Sequence, residues 1–169
     1  IVQHPHGVTI ESGGKHYEFL KDFYFFRGFG DTTMAVPEVI FLGYGINDSL
    51  YSDYKNKDVK GKMLLVMAGE PVNKKGNFIL TKSQKRSDWS TDWRPKLNAA
   101  KEKGAAGVLI IADSLKKNVD LMRHYIESPS MELDSKEKYP YRRIVNFTIS
   151  REMANDLLKG KKLTVDKLK

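Results

Sequence analysis

Apolar and polar positions alternate along Val8-Thr9-Ile10-Glu11 and again along His16-Tyr17-Glu18-Phe19, with Ser12-Gly13-Gly14 between them. A period of two sends alternate side chains to one face, and paired glycines supply the positive φ of a tight reversal. The stretch therefore predicts a β-hairpin. Phe23 to Phe29 is rich in aromatics and reads as extended. Val39-Ile40-Phe41-Leu42 follows Pro37 and closes on Gly43-Tyr44-Gly45. Lys62-Met63-Leu64-Leu65-Val66-Met67 runs from Gly61 to Gly69-Glu70-Pro71. Both are short continuous apolar runs bounded by turn residues, the pattern of buried strands.

The period then changes. Residues 94–103 read as a helix, with Pro95 in the first turn, Leu97 and Ala100 on one face, and Gly104 placed to end it. Val108-Leu109-Ile110-Ile111 follows at once. Strand, helix and strand in that order predict a parallel pair joined by a right-handed crossover. Arg143, Val145, Phe147 and Ile149 alternate with polar residues as a half-buried strand does. Ser150 can cap the next helix, Glu152 suits its first turn, Met153, Ala154, Leu157 and Leu158 form its stripe, and Gly160 is placed to end it.

Two stretches, 72–93 and 113–141, are longer than the connections of a compact domain usually are. If the strands at 62–67 and 108–111 are parallel, both stretches leave from the same edge of the sheet, where α/β folds usually bind ligands. They carry the candidate binding residues Trp89, Trp93, Arg94, Tyr125, Tyr139, Tyr141 and Arg142, and are expected to meet in one surface.

Composition narrows the choices. The chain has 169 residues, 40% of them apolar, which is enough for one domain with a real core. The 30% charged residues are interspersed in sign, which argues against disorder. The net charge of +8 admits nucleic acid, an anionic surface or acidic substrates as partners, but no long Lys/Arg run is present and a solubilising role is the plainer account. The absence of cysteine excludes disulfides, thiolate zinc sites and cysteine nucleophiles. There is no long apolar run for a membrane. The opening at Ile1-Val2 without Met is what a segment of a longer protein would show.

Catalytic signatures are missing. There is no Gly-x-Ser-x-Gly, no His-Glu-x-x-His and no phosphate-binding Walker loop. His4, His6 and His16 lie near the start of the chain, and His124 is remote in sequence. No carboxylate pair is set against them, so they read as surface histidines and no metal site is expected. Asp48, Asp53 and Asp58 are interleaved with Lys55, Lys57 and Lys60 and lack calcium-loop spacing, so they read as a polar loop. Between 73 and 94, Phe78, Trp89 and Trp93 stand among Lys74, Lys75, Lys82, Lys85, Arg86 and Arg94. Such mixing suits packing under a loop or a protein contact, and a single-stranded nucleic acid less well.

The order of segments resembles the protease-associated domain inserted in two-zinc aminopeptidases. Val39-Ile40-Phe41-Leu42-Gly43-Tyr44-Gly45-Ile46 is followed by Tyr51-Ser52-Asp53-Tyr54 and Asp58-Val59-Lys60-Gly61-Lys62. Then come Leu64-Leu65-Val66, Gly69-Glu70-Pro71, Lys96-Leu97-Asn98-Ala99-Ala100-Lys101 and Lys103-Gly104-Ala105-Ala106-Gly107-Val108-Leu109-Ile110. Ile149-Ser150-Arg151-Glu152-Met153-Ala154 closes the series. The resemblance covers residues 37–160 and departs from the commoner pattern at the two long stretches.

That resemblance implies an α/β fold of the swivelling β/β/α type, with a central parallel sheet, a second antiparallel sheet and flanking helices, in one domain over 1–169. It implies a non-catalytic domain that gates the active site of an exported aminopeptidase and contacts peptide substrate or partner protein. The two zinc ions would belong to the parent's catalytic domain, with no cofactor in this chain and no membrane or nucleic-acid partner. A periplasmic or extracellular location follows from the same resemblance. The alternative is a free-standing module for proteins or polyanions without peptidase activity. An inserted domain leaves and re-enters its host, so the hairpin region and the strand-like tail Lys162-Leu163-Thr164-Val165 are expected to be neighbours.

Overall fold

The computed structural model describes residues 2–3, 8–26, 33–128, 130–131 and 144–168, with the backbone alone at 2–3, 130–131 and 161. In chain order the strands and helices are β1 (Val2–Gln3), β2 (Ile10–Ser12), β3 (Lys15–Tyr17), β4 (Phe23–Tyr24), β5 (Val39–Phe41), β6 (Met63–Met67), α1 (Asp88–Thr91), α2 (Arg94–Glu102), β7 (Gly107–Ile111), α3 (Leu115–Glu127), β8 (Ser130–Met131), β9 (Val145–Ile149) and α4 (Arg151–Leu158). The fold is α/β. A five-stranded sheet has the order β4-β9-β7-β6-β5, and all its neighbours are parallel except β4 against β9. The hairpin β2–β3 and the pair β1–β8 are separate antiparallel ladders.

The alternation of each strand decides what packs where. Met63, Leu65 and Met67 of β6, Leu109 and Ile111 of β7, and Phe147 and Ile149 of β9 enter one cluster with Met153, Ala154 and Leu158 of α4. Leu64 and Val66 of β6 and Val108 of β7 enter the other, with Leu97, Ala99 and Ala100 of α2. The sheet is thus covered on both faces, which is why β6 reads as an unbroken apolar run. Tyr24 lies opposite Thr148 and so shares the α2 face. There it meets α3 through Leu115, Val119 and Ile126.

Several expectations hold. β6, α2 and β7 form the parallel strand–helix–strand unit, and Gly104 ends α2 with φ +76°. The Ser150 hydroxyl accepts from Met153 N at 3.1 Å and caps α4. Others need correction. β5 is an edge strand, so its three residues are only half-buried, and Leu42 just beyond it carries the burial. Gly160 does not end the last helix cleanly. A 3-10 turn continues over Lys159–Lys161, and Lys162 takes the left-handed conformation. The tail is not strand-like either. Residues Val165–Leu168 form a second 3-10 turn, because Asn155 Oδ1 accepts the Val165 N–H at 2.8 Å and Arg151 pairs with Asp166. The tail and the hairpin are both tied to α4, Val165 N donating to Asn155 Oδ1 and Lys15 pairing with Asp156.

The stretch 113–141 is not simply a long loop. Its first part is the 13-residue helix α3, capped by Ser114, whose hydroxyl accepts from Lys117 N. Its apolar residues Leu115, Val119, Met122 and Ile126 recur at helical spacing along one stripe.

One buried side-chain polar atom among the described residues has no partner. The Tyr54 hydroxyl sits in the α2-side cluster without a hydrogen bond. An unsatisfied buried hydroxyl costs about 1–3 kcal/mol. Tyr54→Phe is therefore expected to raise stability by about 1 kcal/mol in urea denaturation, since it removes the orphan and keeps the ring. A loss of stability would mean that the hydroxyl is satisfied in solution.

Candidate functional site

The parallel strands β5, β6, β7 and β9 all end on one edge. Their order across the sheet follows their order in the chain, so the winding never reverses there and no crevice of the switch-point kind arises. What covers this edge is a set of turns whose polar side chains point inward.

The first turn follows β5. The backbone ladder continues past the strand, with Leu42 N donating to Leu65 O and Met67 N donating to Gly43 O. Gly45 N then closes onto Leu42 O at 2.9 Å. Gly43 has φ +54°, and a Cβ there would lie 2.3 Å from Asp53 Oδ1. Gly45 has φ +66°, and a Cβ there would lie 2.9 Å from Val66 Cγ1. Both positions therefore require glycine, for conformation and for space. Asp53 is the reason for the crowding. Its Oδ2 accepts from Tyr44 N at 3.1 Å and Ile46 N at 3.0 Å, and its Oδ1 accepts from the Tyr51 hydroxyl at 2.8 Å. Burial and this last bond hold the Tyr51 phenol well above its ordinary range.

The second turn follows β6. Lys96, on the first turn of α2, is only 4% exposed. Its ammonium donates to Met67 O at 3.1 Å and Gly69 O at 2.6 Å, and lies 5.8 Å from the centre of the Tyr44 ring. Glu70 is 5% exposed and accepts from Ser87 N at 2.7 Å and Ser87 Oγ at 2.9 Å. Burial pushes Lys96 down to about 8, against the opposing pull of the Asp53 and Glu70 carboxylates. A lysine so placed has no exposed lone pair to offer a substrate. Its chemistry is that of a clamp.

The residues expected to bind differ in their surroundings where the structure describes them. Trp89 is partly buried against the α2 cluster, which makes it packing. Trp93 precedes α2 and is 37% exposed. Arg94 is exposed and turns its Nε to Asp92 at 2.7 Å. Tyr125 lies on α3, 74% exposed, with its ring against His124. Tyr139, Tyr141 and Arg142 lie outside the described residues, as do His4 and His6. Trp89 and α3 belong to different apolar clusters. His16 faces Glu11 at 3.1 Å on the exposed hairpin. Among the described residues no group of three or more His, Asp or Glu could hold a metal ion. No helix among them is long and apolar enough to cross a membrane.

Sequence reading missed Lys96, Glu70 and the role of Asp53. The signal for Asp53 was the Gly-Tyr-Gly turn, which needs an acceptor for its N–H groups. Lys96 and Glu70 gave no signal, since a charged residue in a polar stretch looks exposed. Comparison with known proteins adds no relative: no family model, no curated protein and no solved structure matches this chain.

The clamp gives the protein a distinct pH dependence. Below about pH 8 Lys96 is charged in both folded and unfolded chains, and its burial opposes folding. Between about 8 and its ordinary value of 10.5 the folded chain gives up the proton first. The unfolded chain then binds more protons and stability climbs with pH. Above about pH 10 the raised phenols of Tyr51 and Tyr54 reverse the trend, because unfolded tyrosines ionise there first. From pH 7.5 to 9.5 the unmodified protein is expected to gain about 1–2 kcal/mol relative to Lys96→Met in urea denaturation. Parallel pH profiles would mean that Lys96 titrates normally.

Proposed function

We propose that this chain is a non-catalytic protease-associated domain that shapes access to the active site of an exported zinc-dependent aminopeptidase. The supporting observation is that the family-like segments fall on one continuous piece of architecture. The segment 39–46 is β5 with its glycine turn, 62–67 holds β6, 96–110 holds most of α2 and β7, and 149–154 joins β9 to α4. At the carboxyl edge of this unit, Asp53, Glu70 and Lys96 are spent on holding backbone. An edge built this way suits a rigid platform that presents loops, rather than a set of groups free to exchange protons with a substrate.

In this reading the parent supplies both zinc ions and the general base. This domain supplies walls that admit an extended peptide. Trp93, exposed at the start of α2, is the aromatic best placed to touch it, whereas Trp89 holds the loop to the core.

The coding region on both sides of this segment is expected to encode the zinc ligands of a two-zinc peptidase, and flanks without them would overturn the proposal. In that whole enzyme Trp93→Ala is expected to raise KM for long peptides about tenfold and to spare an aminoacyl anilide, from the loss of about 1.5–3 kcal/mol of aromatic burial. Trp89→Ala is expected to lower stability instead. Equal losses on both substrates for Trp93→Ala would make that residue a packing residue as well.

A further inference from the structure

The loop between Glu70 and Asp88 carries Lys74, Lys75, Lys82, Lys85 and Arg86 and no acidic residue. All five side chains are exposed. Among the described residues the ion pairs are made by other cations. The loop is folded despite this uncompensated charge. Glu70 ties its ends through Ser87, and Ile79 N donates to Pro71 O. Val72 bridges Phe78. Two tight turns form its tips. In the first, Asn73 Oδ1 accepts from Lys75 N and Asn77 N. In the second, Phe78 N donates to Ser83 O, the Thr81 hydroxyl donates to Lys85 O at 2.6 Å, and Lys82 takes the left-handed conformation at φ +55°. A lysine there is strained, and such strain persists only where the surroundings enforce it. Like charges on a fixed loop repel, and an anionic partner relieves that repulsion at little ordering cost.

We propose that the loop from Pro71 to Ser87 is a docking surface for an acidic polypeptide segment. Both tips carry cations, so carboxylates spread along an extended chain can meet them together. A single-stranded nucleic acid would need open aromatic faces to stack on, but Phe78 is half-buried and Trp89 is packed against the core. A lipid surface would favour large apolar side chains exposed along the loop, but Phe78, Ile79 and Leu80 are partly buried and only Val72, 53% exposed, stands out among the cations. The inference goes beyond the peptidase reading and does not require it.

The test is fluorescence anisotropy of a labelled poly-glutamate peptide with the 169-residue chain at low salt. The variant Lys74→Gln/Lys75→Gln/Lys82→Gln/Lys85→Gln/Arg86→Gln is expected to bind at least about tenfold more weakly, because several charge contacts of modest individual worth are lost together. A control of equal net charge, Lys55→Gln/Lys57→Gln/Lys116→Gln/Lys117→Gln/Lys159→Gln, alters exposed residues elsewhere and is expected to bind within about twofold of the unmodified chain. Thermal melting by circular dichroism checks that both variants fold. Equal losses in the two variants would overturn the proposal, as would no peptide binding. Tighter binding of a single-stranded oligonucleotide or of phosphatidylserine vesicles under the same conditions would also overturn it. Since the chain is assayed alone, none of these outcomes decides whether a peptidase hosts it.

Discussion

A strand that stops inside a protein leaves carbonyl oxygens that must find donors. At the end of β6 those donors come from a single side chain. Lys96 serves Met67 O and Gly69 O with one ammonium, and it reaches them from the first turn of α2. Helix and strand are thereby joined by charge at the very place where their connection, residues 68–93, is longest. Glu70 then continues the arrangement outward to Ser87. The position of the loop 71–87 depends on this pair of buried charges, and so does everything the loop could touch.

The apolar side of the structure explains why such a charge is tolerated. Leu64, Val66, Val108, Leu97 and Ala100 close one face of the sheet beside it, and α4 closes the other. The remaining neighbours of Lys96 are polar in a directed way: two carbonyls, a tyrosine face and two carboxylates that are already bonded elsewhere. A buried charge is destabilising when it lacks partners. Here its partners are mostly backbone, and backbone positions at a strand end vary little with side-chain substitution. Asp53 solves the same problem with the opposite sign, holding two N–H groups of the turn after β5.

The sheet was legible in the sequence because burial on both faces leaves a continuous apolar run, as in Met63–Met67 and Gly107–Ile111. The helix α2 was legible from Pro95 and Gly104, whose backbone restrictions act locally. The helix α3 was missed for a different reason. Its stripe of Leu115, Val119, Met122 and Ile126 is one residue wide, and the exposed Leu121 and Tyr125 blur the period. The tail misled because Leu163-Thr164-Val165 alternates well enough for a strand, while its fate is decided by Asn155, ten residues away in the chain. The polar network was not legible. Nothing local distinguishes Lys96 from Lys101, and only the meeting of β6 with α2 does so.

The placement of β4 has a consequence for how the molecule is made. Strands β5, β6, β7 and β9 are laid down side by side in the order of synthesis, so each finds its neighbour as it emerges. β4 breaks that order. Phe23 pairs with Ile149 and stacks edge-on against Phe147, residues that reach the ribosome exit long after it. Until then Phe23-Tyr24-Phe25-Phe26 has no sheet to join, and four consecutive aromatics stand in water on an unpaired extended segment. Such a segment is a sticky edge for other nascent chains. The nascent protein is most exposed to aggregation in that interval, and a chaperone that shields the segment around Phe23-Tyr24-Phe25-Phe26 would protect it more than one acting on the finished sheet.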